Sequence, residues 1–266
     1  MKRLYFLINN LEIIGKTTLD LIIDIGKAGV FLFDIIICKI NFNKNGINFI
    51  KQFYFIGVLS VGLISISALF IGMVVGLQCY YIIQKFGVED IIGQLTALTI
   101  VRELAPVVSA MLFIGRTGSS LTAEISFMKS TDQLASMEMM GINSIEKLIV
   151  PRFWCGLISM LLLALIFIVV SIFGCYISTV IYLNIEHDIF WSSIKEHVNF
   201  RYDVLNSLFK SVVFGFIIMW ISLFQGLNSN STVAGMAKAT TNTVVYSTFI
   251  ILGLNFFLTA VMFSWK

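Results

Sequence analysis

Long uncharged runs dominate the pattern of hydrophobic and polar positions along this chain. No charged residue falls between Lys51 and Lys85, between Arg152 and Glu186, or between Lys238 and Lys266, and between Asp203 and Lys238 there is only Lys210, near one end. About 20 apolar residues at 1.5 Å each cross the roughly 30 Å hydrocarbon core of a bilayer, so each run is long enough for one transmembrane helix. A fifth run, from about Ile91 to Gly115, is also long enough, yet it carries Arg102, Glu103 and Pro106. The pattern predicts an all-α integral membrane protein with five spans and its termini on opposite faces.

Residues 1–50 follow a different rhythm. Glu12, Lys16, Asp20, Asp24, Lys27 and Asp34 fall within an arc of about 120° on a helical wheel, leaving Leu19, Ile22, Ile23, Ile25, Val30 and Phe33 largely on the remainder. This pattern predicts an amphipathic helix lying in the membrane interface, with a helix packed on the spans as the alternative. No apolar core followed by a small-residue cleavage site is seen at the start, so the chain is expected to begin near Met1 without a cleavable signal. Residues 51–266 form the five-span domain.

Composition agrees with this reading. Of 266 residues, 58% are hydrophobic and 12% charged, with a mean hydropathy of +0.93, far from the roughly 25% charged usage of soluble domains. The net charge of +3 says less than its distribution. With the N-terminus inside, Lys2, Arg3, Lys16, Lys27, Lys39, Lys44, Lys51, Arg116, Lys129, Lys147, Arg152 and Lys238 are cytoplasmic, while Lys85, Lys195, Arg201, Lys210 and Lys266 are external. The excess of positive charge inside predicts a cytoplasmic N-terminus and an external C-terminus.

Two connections stand out. The cytoplasmic segment at about 124–148 carries two helix-start signatures, Ser130 with Gln133 and Asn143 with Glu146, separated by Gly141, a natural helix stop. It predicts a projecting helix pair, either a docking surface or an ordinary solvated loop. The external segment at about 184–203 predicts an interfacial helix anchored by Phe190 and Trp191; it is assigned no functional role. His187 and His197 are ten residues apart and share no helix face, so no metal site is expected. Cys38, Cys79, Cys155 and Cys175 are isolated in apolar surroundings and read as core or lipid-facing residues. "GKTT" at Gly15 to Thr18 lacks the first P-loop glycine, since Asn10 stands there, and lacks a preceding strand. ATP binding is therefore expected on a partner.

The charged run is the candidate site. On a helix, Thr96, Thr99, Arg102, Glu103, Pro106 and Ser109 share an arc of about 140° opposite an apolar face. An ion at the bilayer centre costs about 2.5–3.5 kcal/mol even on the lenient insertion scale, so this stripe should face protein or a wet cavity. Pro106, having no N–H, leaves the Arg102 carbonyl without its helical partner. Arg102 lies about 21 Å along the helix from Arg116, which places it in the outer half of the membrane if Arg116 sits at the cytoplasmic interface. An arginine fork there suits a phosphate or carboxylate headgroup; the alternative is an Arg–Glu pair that only ties helices together. The "GMVVG" of Gly72 to Gly76 permits close helix approach but names no partner helix.

The chain resembles the MlaE family of permeases, the membrane subunits of ABC systems that move phospholipids between the inner and outer membranes of Gram-negative bacteria. The resemblance is carried by "VLSVGLISISALFIGMVVGLQ", "LTIVRELAPVVSAMLFIGRTGSSLTAEI", "DQLASMEMMGI", "PRFWCG", "KSVVFGFIIMWISLFQG" and "ATTNTVVYSTFIILGLNFFLTAVMF". It implies a homodimer enclosing a lipid cavity, which maintains outer-membrane lipid asymmetry from the inner membrane. It implies as partners a cytoplasmic ABC ATPase holding ATP and Mg, a STAS-domain regulatory subunit and a periplasmic ring of MCE-domain proteins, with no nucleic acid and no cofactor in this chain. By the same resemblance, Arg102 and Glu103 contribute to a headgroup-level pocket. Val75, Gln78 and Ile82 form the cavity wall, and Met128, Lys129, Asp132, Gln133 and Glu138 couple to the ATPase. One departure is Ala105, where many members have glycine.

Two other classes fit the pattern less well. An ion- or proton-coupled carrier could use Arg102 and Glu103 as its relay, but the chain lacks the internal repeats that many such carriers show. A lipid-modifying enzyme would need a nucleophile and base cluster near the stripe, which is missing from the sequence pattern. The expected role is a transport subunit without its own ATPase site.

Overall fold

The computed structural model describes the backbone of residues 2–38, 49–87 and 91–263, and the side chains of 15, 19, 22–38, 49–87 and 91–262. Among these residues the structure is almost entirely helical and contains no strand. Helix α1 spans Lys2–Ile37. Five helices are long and apolar enough to cross a membrane: α2 (Phe49–Phe86), α3 (Ile92–Ser130), α5 (Ile145–Tyr182), α7 (Phe200–Asn228) and α8, whose apolar window lies in Val233–Met262. Two short helices connect them, α4 (Gln133–Met139) and α6 (His187–His197). The five predicted spans are thus present. The second continues fifteen residues past the expected end at Gly115, because the polar "RTGSSLTAEISFMKS" stays helical beyond the apolar run.

Helix α7 is the centre of the bundle, packing on α3, α5 and α8, while α2 lies along α5. Within the apolar windows, 56% of α7 is buried in the chain but only 22% of α2 and 11% of α8. The outer two helices therefore present apolar faces to the surroundings, as lipid or a second membrane subunit requires. The close contact of α2 with α5 explains "GMVVG". A Cβ at Gly72 would run into the main chain of Ser171, and one at Gly76 into the Ser178 hydroxyl. Cys175 Sγ donates to the Gly72 carbonyl at 2.9 Å in the gap so formed. The glycine pair is thus consumed by packing within the chain. Cys79, Cys155 and Cys175 are buried, and all four cysteines are free thiols.

Helix α1 is docked rather than isolated. Phe31 and Ile35 are buried, the Phe31 ring meets Phe224 of α7, and Trp220 Nε1 donates to the Ala28 carbonyl at 3.0 Å. Leu19, Ile22, Ile23, Ile25, Val30 and Phe33 are all exposed, so the helix combines an edge packed on the bundle with an uncovered apolar face. The side chains of Glu12, Lys16 and Asp20 lie outside the described residues. So do Lys39, Lys44 and Lys266 and the side chains of Lys2 and Arg3, which count toward the expected cytoplasmic and external charge. The "GKTT" backbone is helical, without the strand a P-loop needs.

The two connections correct two expectations. Ser130 does not start a helix: it ends α3, its hydroxyl bonds the Phe127 carbonyl, and the chain turns at Thr131 and Asp132, with Asp132 in the left-handed region at φ 54°. Asn143 does serve as the second start signal, with Oδ1 accepting from the Ile145 N–H at 3.0 Å, after Gly141 at φ 73°. In the external segment, Phe190 is not a membrane anchor. It is fully buried against α3, where a Cβ on Gly93 would meet its carbonyl. Trp191 remains partly exposed, and His187 Nδ1 pairs with the Tyr176 hydroxyl at 3.0 Å.

Candidate functional site

The charged stripe of α3 faces protein and an open cleft together. Around Pro106 the helix widens into a π turn over Ile100–Leu104, in which the Ala105 N–H reaches the Ile100 carbonyl, five residues back. The Arg102 carbonyl, which a proline cannot satisfy, accepts instead from Lys210 Nζ of α7 at 3.1 Å. Lys210 is the one charge inside the fourth apolar run, and its side chain is 1% exposed. Its ammonium also donates to Glu103 Oε1 at 3.0 Å and to Thr259 Oγ1 of α8 at 2.8 Å. Three N–H groups thus meet three oxygens, as a buried ammonium demands.

Glu103 gathers a further shell. Thr259 Oγ1 donates to its carboxylate at 3.1 and 3.2 Å, and Asn255 Nδ2 at 3.2 Å. Arg102 points the other way, to Asp203 at the start of α7: its Nε and Nη2 both lie 2.8 Å from Oδ1. Asp203 is buried and its Oδ2 accepts from the Asn199 N–H at 2.9 Å, which fixes the carboxylate. The four ions comprise two cations and two anions, tying α3, α7 and α8 together at one level. The cluster is neutral as a unit.

Above it opens a cleft of about 350 Å³ lined by Leu98, Thr99, Arg102, Glu103 and Thr259. Arg102 and Glu103 are each about one-third exposed, at 33% and 36%, so both serve the cluster with one edge and the cleft with another. The remaining stripe residues Thr96, Thr99 and Ser109 turn their hydroxyls back to carbonyls of their own helix, which leaves the ions to define the cleft's chemistry.

Sequence reasoning found Arg102 and Glu103 but missed Asp203, Lys210, Asn255 and Thr259. The signals existed. Asp203 and Lys210 are seven residues apart and share a helix face, and Asn255 and Thr259 are four apart. Of the expected cavity wall, Gln78 and Ile82 are exposed and Val75 is half-buried on α2, and none of the three lines this cleft. The residues expected to couple to an ATPase lie together at the other end of α3 and on α4. Lys129 is tied down, donating from Nζ to the Leu227 and Ser229 carbonyls at 2.7 and 2.8 Å, where it caps the end of α7. Glu138 accepts from the Ser144 hydroxyl at 2.9 Å. Asp132 and Gln133 are exposed and Met128 is half-buried, with Phe127, Met139 and Met140 exposed beside them.

A bundle of five membrane-length helices with uncovered apolar faces and an ionic cleft beside one of them defines a multi-pass membrane protein. Comparison with known sequences narrows the class. The family model described as Permease MlaE matches residues 49–261, so the chain belongs to the MlaE permease family. Among relatives, it is 43% identical over 258 residues to the intermembrane phospholipid transport system permease protein MlaE of Haemophilus influenzae, covering 97% of this chain and 99% of that protein. It is 34% identical over the same length to a probable ABC transporter permease protein of Rickettsia bellii, with the same coverage. A probable ABC transporter permease protein of Synechocystis is 37% identical over 218 residues, 82% of each chain.

Proposed function

We propose that this chain is the membrane subunit of an ABC transporter that moves phospholipid between two membranes. The observation that carries the reading is the cleft at Arg102 and Glu103, an ionic site within a membrane-length helix. Membership of the MlaE permease family supplies the substrate class, through the Haemophilus relative named for phospholipid transport. The lipid phosphate sits at the outer edge of Arg102, and the apolar flank of Leu98 accepts the start of an acyl chain.

The chain binds no nucleotide in this reading; a partner ATPase hydrolyses ATP with Mg. It docks where α3 runs past the apolar core into α4, at Met128, Asp132, Gln133 and the exposed methionines. Movement of that end travels along the single continuous helix α3 to Arg102, so docking and cleft are joined by one rigid element. A second copy of the chain covers the exposed faces of α2 and α8, and Val75, Gln78 and Ile82 then complete the cavity between the copies. A STAS-domain subunit on the ATPase and an MCE-domain ring on the external face complete the assembly, in an inner membrane with the N-terminus cytoplasmic.

Mass spectrometry of lipids copurifying with the chain and with Arg102→Ala in matched detergent tests the reading. Phospholipid bound to the first and depleted from the second is the expected result. Equal lipid in both returns the Arg102 cluster to a purely helix-tying role. Transport that proceeds without ATP hydrolysis by the partner contradicts the ABC assignment and favours a carrier that uses Glu103.

A further inference from the structure

The end of the bundle remote from the Arg102 cleft holds a second polar site. Glu124 lies 22 residues beyond Arg102 in the same helix, about 33 Å along its axis. There α3 meets the first turns of α2 and the third turn of α5 around a half-open cavity of about 130 Å³, whose lining includes Lys51, Gln52, Phe55, Leu121, Glu124 and Arg152. Arg152 is 5% exposed. Its Nη2 donates to Glu124 Oε1 at 2.7 Å, but its buried Nη1 has no partner among the described residues. Gln52 Oε1 is likewise buried without one. The same cavity thus holds an unmatched donor and an unmatched acceptor, each a group that a folded protein normally satisfies.

Charge narrows what fills it. Lys51 and Arg152 contribute two positive charges against one negative charge from Glu124, so the cavity favours an anion with acceptor oxygens for Arg152 Nη1 and the Lys51 ammonium. A bare anion leaves Gln52 Oε1 without a donor. A phosphate ester whose neighbouring group is an amine or hydroxyl meets both demands, and an arginine fork beside a lysine is a phosphate-binding arrangement. The surroundings suit a lipid: Phe55 and Leu121 form apolar walls, and Tyr54, Phe55 and Trp154 stand partly exposed at the ends of the same helices, as aromatic side chains do at a membrane–water interface.

We propose that the cavity between Lys51, Gln52 and Arg152 binds the phosphate of a phospholipid headgroup, at a site separate from the Arg102 cleft and at the opposite end of α3. The site stands on its own geometry and does not need the cleft to be the transport site. A lipid held here occupies the leaflet opposite to the one that the cleft serves.

Native mass spectrometry of the full chain, loaded with phosphatidylethanolamine in detergent and separately with inorganic phosphate, tests this. The expected result is a bound phosphatidylethanolamine that persists in Arg102→Ala and is retained about tenfold less in Lys51→Glu and Gln52→Leu, the scale of one lost charge-assisted hydrogen bond. Arg152→Gln also removes a partner of Glu124 and can fail to fold; the Lys51 and Gln52 variants, at the cavity's rim, carry the test in that event. Unchanged lipid retention in both rim variants overturns the proposal. Saturable binding of inorganic phosphate with no lipid retained overturns the lipid as the source and assigns the cavity to free phosphate. Loss of all lipid in Arg102→Ala alone overturns the second site while leaving the cleft intact.

Discussion

Lys210 of α7 donates to the main-chain carbonyl of Arg102 at 3.1 Å, filling the position that Pro106 leaves empty in α3. A buried cation thus closes a defect in a neighbouring helix and at the same time balances Glu103. The distortion and its remedy belong to one design: the proline exposes an acceptor, and a donor from a neighbouring helix meets it within an apolar bundle.

Replacing Lys210 with Met is therefore expected to destabilise the bundle by about 1–3 kcal/mol, since it takes the buried ammonium from Glu103 and the Arg102 carbonyl while Thr259, Asn255 and the open cleft still serve the carboxylate. Thermal unfolding in detergent checks the size. Adding Glu103→Gln to Lys210→Met should recover part of the loss, because the uncompensated charge is gone.

Arg102 and Asp203 should be energetically coupled. A double-mutant cycle with Arg102→Ala and Asp203→Asn is expected to give about 1–2 kcal/mol of interaction, within the range for residues in direct contact. Additive effects would mean that Asp203 does not orient the guanidinium.

Gly72→Leu should prevent the approach of α2 to α5, because the added Cβ meets the Ser171 main chain. Overpacking costs about 1–3 kcal/mol when side chains yield, and a backbone clash exceeds that. Loss of monodisperse protein on gel filtration is the expected outcome. Gly26→Leu, on α1 with open space around it, should behave as the parent.

Lys129 and Asp132 should separate stability from docking. Lys129→Glu removes the cap on the Leu227 and Ser229 carbonyls and is expected to lower the melting temperature of the chain. Asp132→Asn, which removes the charge on an exposed turn but keeps a residue that tolerates the left-handed backbone, should leave melting unchanged while weakening copurification of the partner ATPase. A stable Lys129→Glu chain would contradict the capping role.

Much of the architecture was legible in the chain because the lipid requirement is one-dimensional. A run such as Arg152 to Glu186 must cross a membrane whatever its neighbours are, and the hydropathy of α2, α3, α5, α7 and α8 states that directly. The stripe of Arg102, Glu103 and Pro106 was legible for the same reason, since ions and an imino acid in an apolar run demand partners. Which partners they find is a matter of three dimensions. Lys210 and Asp203 lie about a hundred residues from Arg102, and nothing local in either stretch states that α7 runs beside α3. Phe190 reads as an interfacial aromatic until Gly93, also about a hundred residues away, lets its main chain come close to α3 and its ring packs on Tyr176. Lys129 reads as a solvated docking charge until the end of α7 brings its carbonyls within reach. The sequence by itself determined the number of spans and where polar groups needed company, because burial in lipid penalises each residue separately. The tertiary structure alone decided the pairings, because a hydrogen bond depends on which helices become neighbours.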